Sequence, residues 1–165
     1  MILDRSKHQQ SVDNFMVLAK QDLPKNPTIP DEKIRWLRAK LILEEAFETV
    51  EALGFKPTTE FDGDAINRRD ITFGQLDIDF DMVEPNLAEI VDGCCDIKVV
   101  TTGTLSACGV PDEVFQDEVD RANLRKFGPG GHRREDGKWV KPADFVPPNI
   151  AGLLEKVTEA AEKQK

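Results

Sequence analysis

Leu41-Ile-Leu-Glu44-Glu45-Ala-Phe-Glu48-Thr-Val-Glu51 sets four carboxylates within eleven residues of a helix-forming run. At about 3.6 residues per turn, Glu44, Glu48 and Glu51 stack on one face and Glu45 lies one step round from them. Like charges at i,i+4 are mildly destabilising in an isolated helix. A solvated acidic face dilutes that repulsion with Lys and Arg, yet only Lys40 stands one turn from Glu44, and Leu41 holds that place for Glu45. Leu37 and Leu41 fall on the same face, so the acids are expected to continue into a buried wall, where they need a cation.

A second stretch supplies the other half. Glu89-Ile-Val-Asp92-Gly-Cys-Cys-Asp96-Ile-Lys-Val-Val places acids at i, i+3 and i+7, again one helical face, among residues that are mostly apolar or small. Isolated charges on a buried helix cost several kcal/mol each unless they are paired or bind a metal. Two such helices packed together would make a box of oxygen ligands, which suits hard divalent ions such as Mg²⁺.

The 165 residues predict a single domain, 1–165, large enough for a core but small for an enzyme that must enclose its substrate, so oligomerisation is expected. With 31 acidic against 22 basic residues, neither a nucleic-acid polymer nor an anionic membrane surface is expected as the main partner. There is no apolar run of transmembrane length and no amino-terminal signal pattern, which reads as a soluble, cytoplasmic protein. Cys94, Cys95 and Cys108 read as buried free thiols, not as a disulfide framework or a zinc site.

Along the chain, residues 7–20 suit a helix with Val12, Phe15, Met16 and Ala19 on its apolar face. Pro24, Pro27 and Pro30 then force an extended connector. Thr28 or Asp31 offers the N-cap of the long acidic helix, which stops at Leu53-Gly54. Residues 55–86 read as an extended or hairpin insert, with alternation over 71–83 and a turn at 61–64. Asp77, Asp79 and Asp81 fail as a calcium loop, because Met82 and Ala88 stand where Gly and Glu are needed. Pro85-Asn86 opens the second acidic helix, which runs to about Ala107. A third helix follows from Asp112-Glu113 to about Lys126-Phe127, then the loop Gly128–Gly131, an irregular tail, and a last amphipathic helix from Asn149. His8 and His132 read as surface residues, and neither forms the Glu-x-x-His pair of a di-iron bundle. Trp36 and Phe47 read as core.

Glu44-Glu45-x-x-Glu48, then Glu89-x-x-Asp92 and Asp96, resembles the EExxE…ExxD signature of the all-α nucleoside triphosphate pyrophosphohydrolases, the MazG-like superfamily. The likeness extends to Gly103-Thr, to Glu118-Val-x-x-x-Asn123-x-x-Lys126, and to the tail Asp136-Gly-Lys…Lys141-Pro…Pro147-Pro, which looks like the phage and bacterial branch related to phosphoribosyl-ATP pyrophosphohydrolase. It covers most of residues 28–150 and leaves 55–86 unmatched.

The resemblance implies an all-α helical bundle, assembled as a homodimer or tetramer. Its implied reaction is Mg²⁺-dependent cleavage of a nucleoside triphosphate to monophosphate and pyrophosphate. Mn²⁺ is a possible substitute, and two or three ions per site are expected. Glu45, Glu48, Asp92 and Asp96 are then the expected principal ligands. Glu44 would bind a further ion or accept the proton of the attacking water, and Glu89 would be a ligand or orient one. Many relatives carry a single acid pair in the second motif, and the three acids here leave open which touch metal first. Asn123 and Lys126 would meet the phosphates, and Asn14 or another side chain of the first helix would reach the base. Nucleotide-pool control is the implied role, with a purine deoxynucleotide such as dGTP favoured by the branch. The rival readings are a broad or dUTP/dCTP-type housecleaning enzyme and a catalytically silent nucleotide-binding subunit.

Overall fold

Caps and breakers place the helices of the computed structural model, which describes residues 2–57, 78–79, 84–135, 137 and 139–164. Helix α1 (Lys7–Leu18) opens on Ser6, whose hydroxyl accepts the Gln9 N–H at 3.0 Å. It closes with Lys20 in the left-handed region (φ 57°). Helix α2 (Glu32–Ala52) takes Asp31 as N-cap, the carboxylate accepting from Ile34 N–H, and Gly54 (φ 92°) turns the chain after it. Short strands β1 (Lys56–Pro57) and β2 (Ile78–Asp79) pair antiparallel.

Helix α3 (Leu87–Ala107) begins where Asn86 Oδ1 accepts from Ala88 N–H. Helix α4 (Glu113–Arg125) is followed by the hairpin β3 (His132–Arg133) and β4 (Trp139–Val140), with Arg133 opposite Trp139. Helix α5 (Ile150–Glu162) is capped by Asn149. The fold class is all-α, as the sequence predicts, with minor two-stranded pairings in the 55–86 insert and in the tail. The expected turn at 61–64, most of the alternating run 71–83, Asp77 and Asp81 lie outside the described residues, as do Asp136 and Lys138.

The chain forms two compact units, residues 1–30 with 102–165, and residues 31–101, and the division falls inside α3. In the first unit Val12, Met16, Phe115, Ala122, Val157 and Ala161 form the buried core. Through that core runs a polar clamp on Gln9, a fully buried residue. Its amide donates to Ser106 Oγ at 3.0 Å and to the Val110 carbonyl at 2.8 Å, and its Oε1 accepts the Asp112 N–H at 2.8 Å. Asp112 stands at the N-cap position of α4 without capping it; its carboxylate instead accepts the backbone N–H and the hydroxyl of Ser6. Each buried polar atom of the clamp thus meets a partner, as burial requires.

Several side chains depart from the sequence reading. Phe15 and Ala19 are exposed, and the buried face of α1 is Gln9, Val12 and Met16. His8 is half-buried with its Nε2 covered, whereas His132 is exposed as expected. Trp36, expected in the core, is 68% exposed, and Phe47 is half-buried. Cys94 and Cys95 are exposed and Cys108 is half-buried, although all three are free thiols. The reason is common to Trp36 and the paired cysteines: at helical spacing each lies off the face that its helix turns inward in the second unit, Trp36 and Cys95 opposite it and Cys94 on its flank.

Candidate active site

The second unit brings α2 and α3 together as an antiparallel pair. Asn86, just before α3, donates its backbone N–H to the carbonyl of Ala52, the last residue of α2. One to two turns further in, Gly93 backs onto Thr49 so closely that a Cβ there would lie 2.5 Å from Thr49 Oγ1 and 3.2 Å from its Cα. Thr49 is buried, and its hydroxyl turns back to donate to the Glu45 carbonyl at 2.7 Å.

This contact fixes which face of each helix turns inward. On α2, residues 38, 45, 49 and 52 share the inward face at helical spacing, and Arg38, Thr49 and Ala52 are buried there. Glu45 sits on the same face, half-buried, with Glu48 and then Glu44 progressively further round. On α3, Asp96 lies one turn from Gly93 on the inward side and Asp92 at its edge.

The electrostatics follow this order. Glu45 has its pKa raised above the ordinary carboxylate value, first by burial, then by the negative charges of Asp96, Glu48, Glu44 and Asp92. Both helices therefore contribute charge to one position. Lys40 pairs with Glu44 at 3.2 Å, on the exposed edge.

The cluster is more open than the buried wall that the sequence predicts. Glu45 and Asp96 are half-buried, while Glu44, Glu48, Glu89 and Asp92 are exposed. Glu89 lies in the first turn of α3 and accepts a hydrogen bond from Asn86 Nδ2 at 3.0 Å. The donor chemistry, oxygen-only and rich in carboxylates, fits a hard divalent cation. Among the described residues, no three His, Cys, Asp or Glu side chains stand in an arrangement that could hold a metal ion as they are.

The remaining candidates belong to the first unit. Asn14 lies exposed on α1. Asn123 and Lys126 meet at the carboxyl end of α4, where Lys126 Nζ donates to Asn123 Oδ1 at 2.7 Å. That bond uses the one acceptor of the pair, so both the ammonium and the amide present N–H donors outward. One turn back, Glu118 accepts from Asn149 N–H at 3.2 Å and from Arg125 at 3.1 Å. Its pKa is lowered by these contacts, the Asn149 N–H first. A cavity of about 370 Å³ in this unit, lined by Arg5, Lys25, Gly109 and Gln164 among others, contains none of the candidate residues.

Thr49 and Gly93 escaped the sequence reading, although a lone glycine in the middle of a helix is itself a sign of close backbone approach. An all-α pair of helices thus pools its carboxylates at Glu45. The family model of phosphoribosyl-ATP pyrophosphohydrolase matches residues 12–123, more than half of the chain, and both acidic motifs fall inside the match. The chain belongs to this family, and through it to the MazG-like all-α NTP pyrophosphohydrolase superfamily. The family's activity is that of a pyrophosphohydrolase acting on nucleotides. No curated protein matches the chain. Among the described residues, no helix is long and apolar enough to cross a membrane.

Proposed function

We propose that the chain is a Mg²⁺-dependent pyrophosphohydrolase of nucleoside triphosphates, releasing nucleoside monophosphate and pyrophosphate in the control of nucleotide pools in the cytoplasm. The observation that carries this reading is the pooling of acids from α2 and α3 at Glu45, where burial and four neighbouring carboxylates favour the arrival of positive charge.

In this reading Glu45, Glu48, Asp92 and Asp96 hold two or three Mg²⁺ ions, or Mn²⁺ in their place. Once bound, such ions supply neutralisation of phosphate charge and a more acidic water. Glu44 binds a further ion or accepts the proton of the attacking water, and Glu89 serves as a ligand or orients one. The outward N–H donors of Asn123 and Lys126 suit phosphate oxygens. Asn14, exposed on α1, is the candidate for base contact.

The substrate is proposed as a purine deoxynucleotide, dGTP first. A phosphoribosyl-linked nucleotide is the second reading, favoured by the description of the matching family. Assembly as a homodimer or tetramer is part of the proposal, supported by exposed Trp36 and Leu43 on α2 and Leu87 and Val91 on α3, since apolar surface of this kind usually marks an interface.

The test is ion-exchange product analysis with each common NTP and dNTP and with phosphoribosyl-ATP, in Mg²⁺ and in EDTA. Monophosphate and pyrophosphate from one of the triphosphates, abolished by EDTA, is the expected result. Turnover of phosphoribosyl-ATP alone moves the chain to the second reading, and none at all leaves a silent nucleotide-binding subunit.

A further inference from the structure

The tail beyond residue 123 lies outside the family match, yet it closes on the end of α4. Lys126 is the C-cap of that helix, and a carbonyl at a helix end has no partner within the helix. Here the carbonyl of Lys126 accepts the indole N–H of Trp139 at 2.6 Å. The indole is itself held, its ring against Phe127 with centroids 4.8 Å apart at 45°. Gly131 completes the arrangement. A Cβ at that position would lie 2.7 Å from the Lys126 carbonyl oxygen and 2.8 Å from Trp139 Nε1, wedged into the hydrogen bond itself.

Further along, the tail is tied to the same helix. Arg125 Nε donates to the Val146 carbonyl at 3.2 Å, and Asn149 N–H donates to Glu118. Trp139 therefore sits in a tail fastened to α4 through Glu118 and Arg125, and it holds the backbone from which the Lys126 side chain reaches Asn123.

We propose that Trp139 is a positioning residue for the Lys126–Asn123 pair: by holding the Lys126 carbonyl in a slot that only glycine at 131 leaves open, it sets the pair in the geometry that binds substrate phosphate. This rests on the reading of Asn123 and Lys126 as phosphate contacts. A frayed helix end would let the ammonium and amide swing independently, and reordering them on binding costs affinity.

The experiment is steady-state kinetics of the full chain with Mg²⁺ and the triphosphate that it turns over, comparing wild type, Trp139→Phe, Gly131→Ala and Lys126→Met. Phenylalanine keeps a ring against Phe127 but has no N–H to donate. Trp139→Phe and Gly131→Ala are both expected to raise KM about three- to tenfold, as loss of about 1 kcal/mol does, with kcat within about twofold and unchanged helical circular dichroism. Lys126→Met is expected to raise KM more, and adding Trp139→Phe to it should raise KM no further. Normal KM in both Trp139→Phe and Gly131→Ala, with a raised KM in Lys126→Met, overturns the positioning role alone. A normal KM in Lys126→Met overturns the phosphate-contact reading and the positioning role with it.

Discussion

Gly93 of α3 rests on Thr49 of α2 with no room for even a methyl group: a Cβ would lie 3.2 Å from the Thr49 Cα and closer still to its hydroxyl. The two acidic sets are carried on either side of this contact. Gly93→Ala is therefore expected to push the helices apart, with an overpacking cost of about 1–3 kcal/mol, and to lower kcat/KM at least tenfold through the displaced acids. Urea unfolding and kinetics on the same preparation check both; wild-type values in each would show that the close approach is not needed.

Asp96 makes the largest charge contribution at Glu45 after burial itself. Asp96→Asn, like Glu48→Gln, is expected to lower turnover at least about a hundredfold, because even an outer partner of a metal site is worth about 10–100-fold. Its fold should remain intact.

The same neighbours make a prediction about pH. A carboxyl with a raised folded-state pKa stabilises the fold while protonated, and that contribution is lost as pH rises through the raised value. In EDTA, Asp96→Asn should thus melt above wild type at pH above the raised value, where Glu45 is charged, and the gap should narrow as acidification protonates Glu45. Mg²⁺ should raise the melting temperature of the wild type and raise that of Asp96→Asn less. Thermal melts across pH 4.5–8, with and without Mg²⁺, measure this; a gap that is constant with pH would refute the coupling.

Glu118 shows the opposite sign. Its lowered pKa means that its contribution is present above the ordinary carboxylate range and is lost as pH falls through the lowered value. Acidification below about pH 4.5, the ordinary range, should release Asn149 and loosen the start of α5. The amides of residues 149–153 should lose protection in acid, their exchange approaching the intrinsic rate at that pH, and Glu118→Ala should show that loosening already at neutral pH.

Gln9 holds three partners in the first unit, and Gln9→Ala would leave the Ser106 hydroxyl, the Val110 carbonyl and the Asp112 N–H without it. An unsatisfied buried group costs about 1–3 kcal/mol, so a loss near 3 kcal/mol is expected in urea unfolding. A loss below about 1 kcal/mol would mean that water replaces the amide.

The sequence by itself determined where helices start and stop, since these are local events. Asp31 can cap and Gly54 can turn without any distant contact, and the prolines at 24, 27 and 30 cannot be helical interior. It also determined the acidic register, because helical spacing alone puts Glu44, Glu45 and Glu48 on neighbouring ridges and Asp92 and Asp96 one turn apart. Which face of each helix turns inward was decided only by tertiary structure. Helix α2 carries apolar residues all round, with Trp36 and Leu43 on one side and Leu37 and Leu41 on the other, so periodicity does not choose between them. Gly93 makes the choice, because its missing side chain lets α3 approach at Thr49, which turns Arg38 and Glu45 inward and leaves Trp36, Cys94 and Cys95 outside. The bond from Trp139 to the Lys126 carbonyl joins residues thirteen apart across an irregular loop. No propensity or period encodes such a contact, because it depends on how the tail folds back over the end of α4.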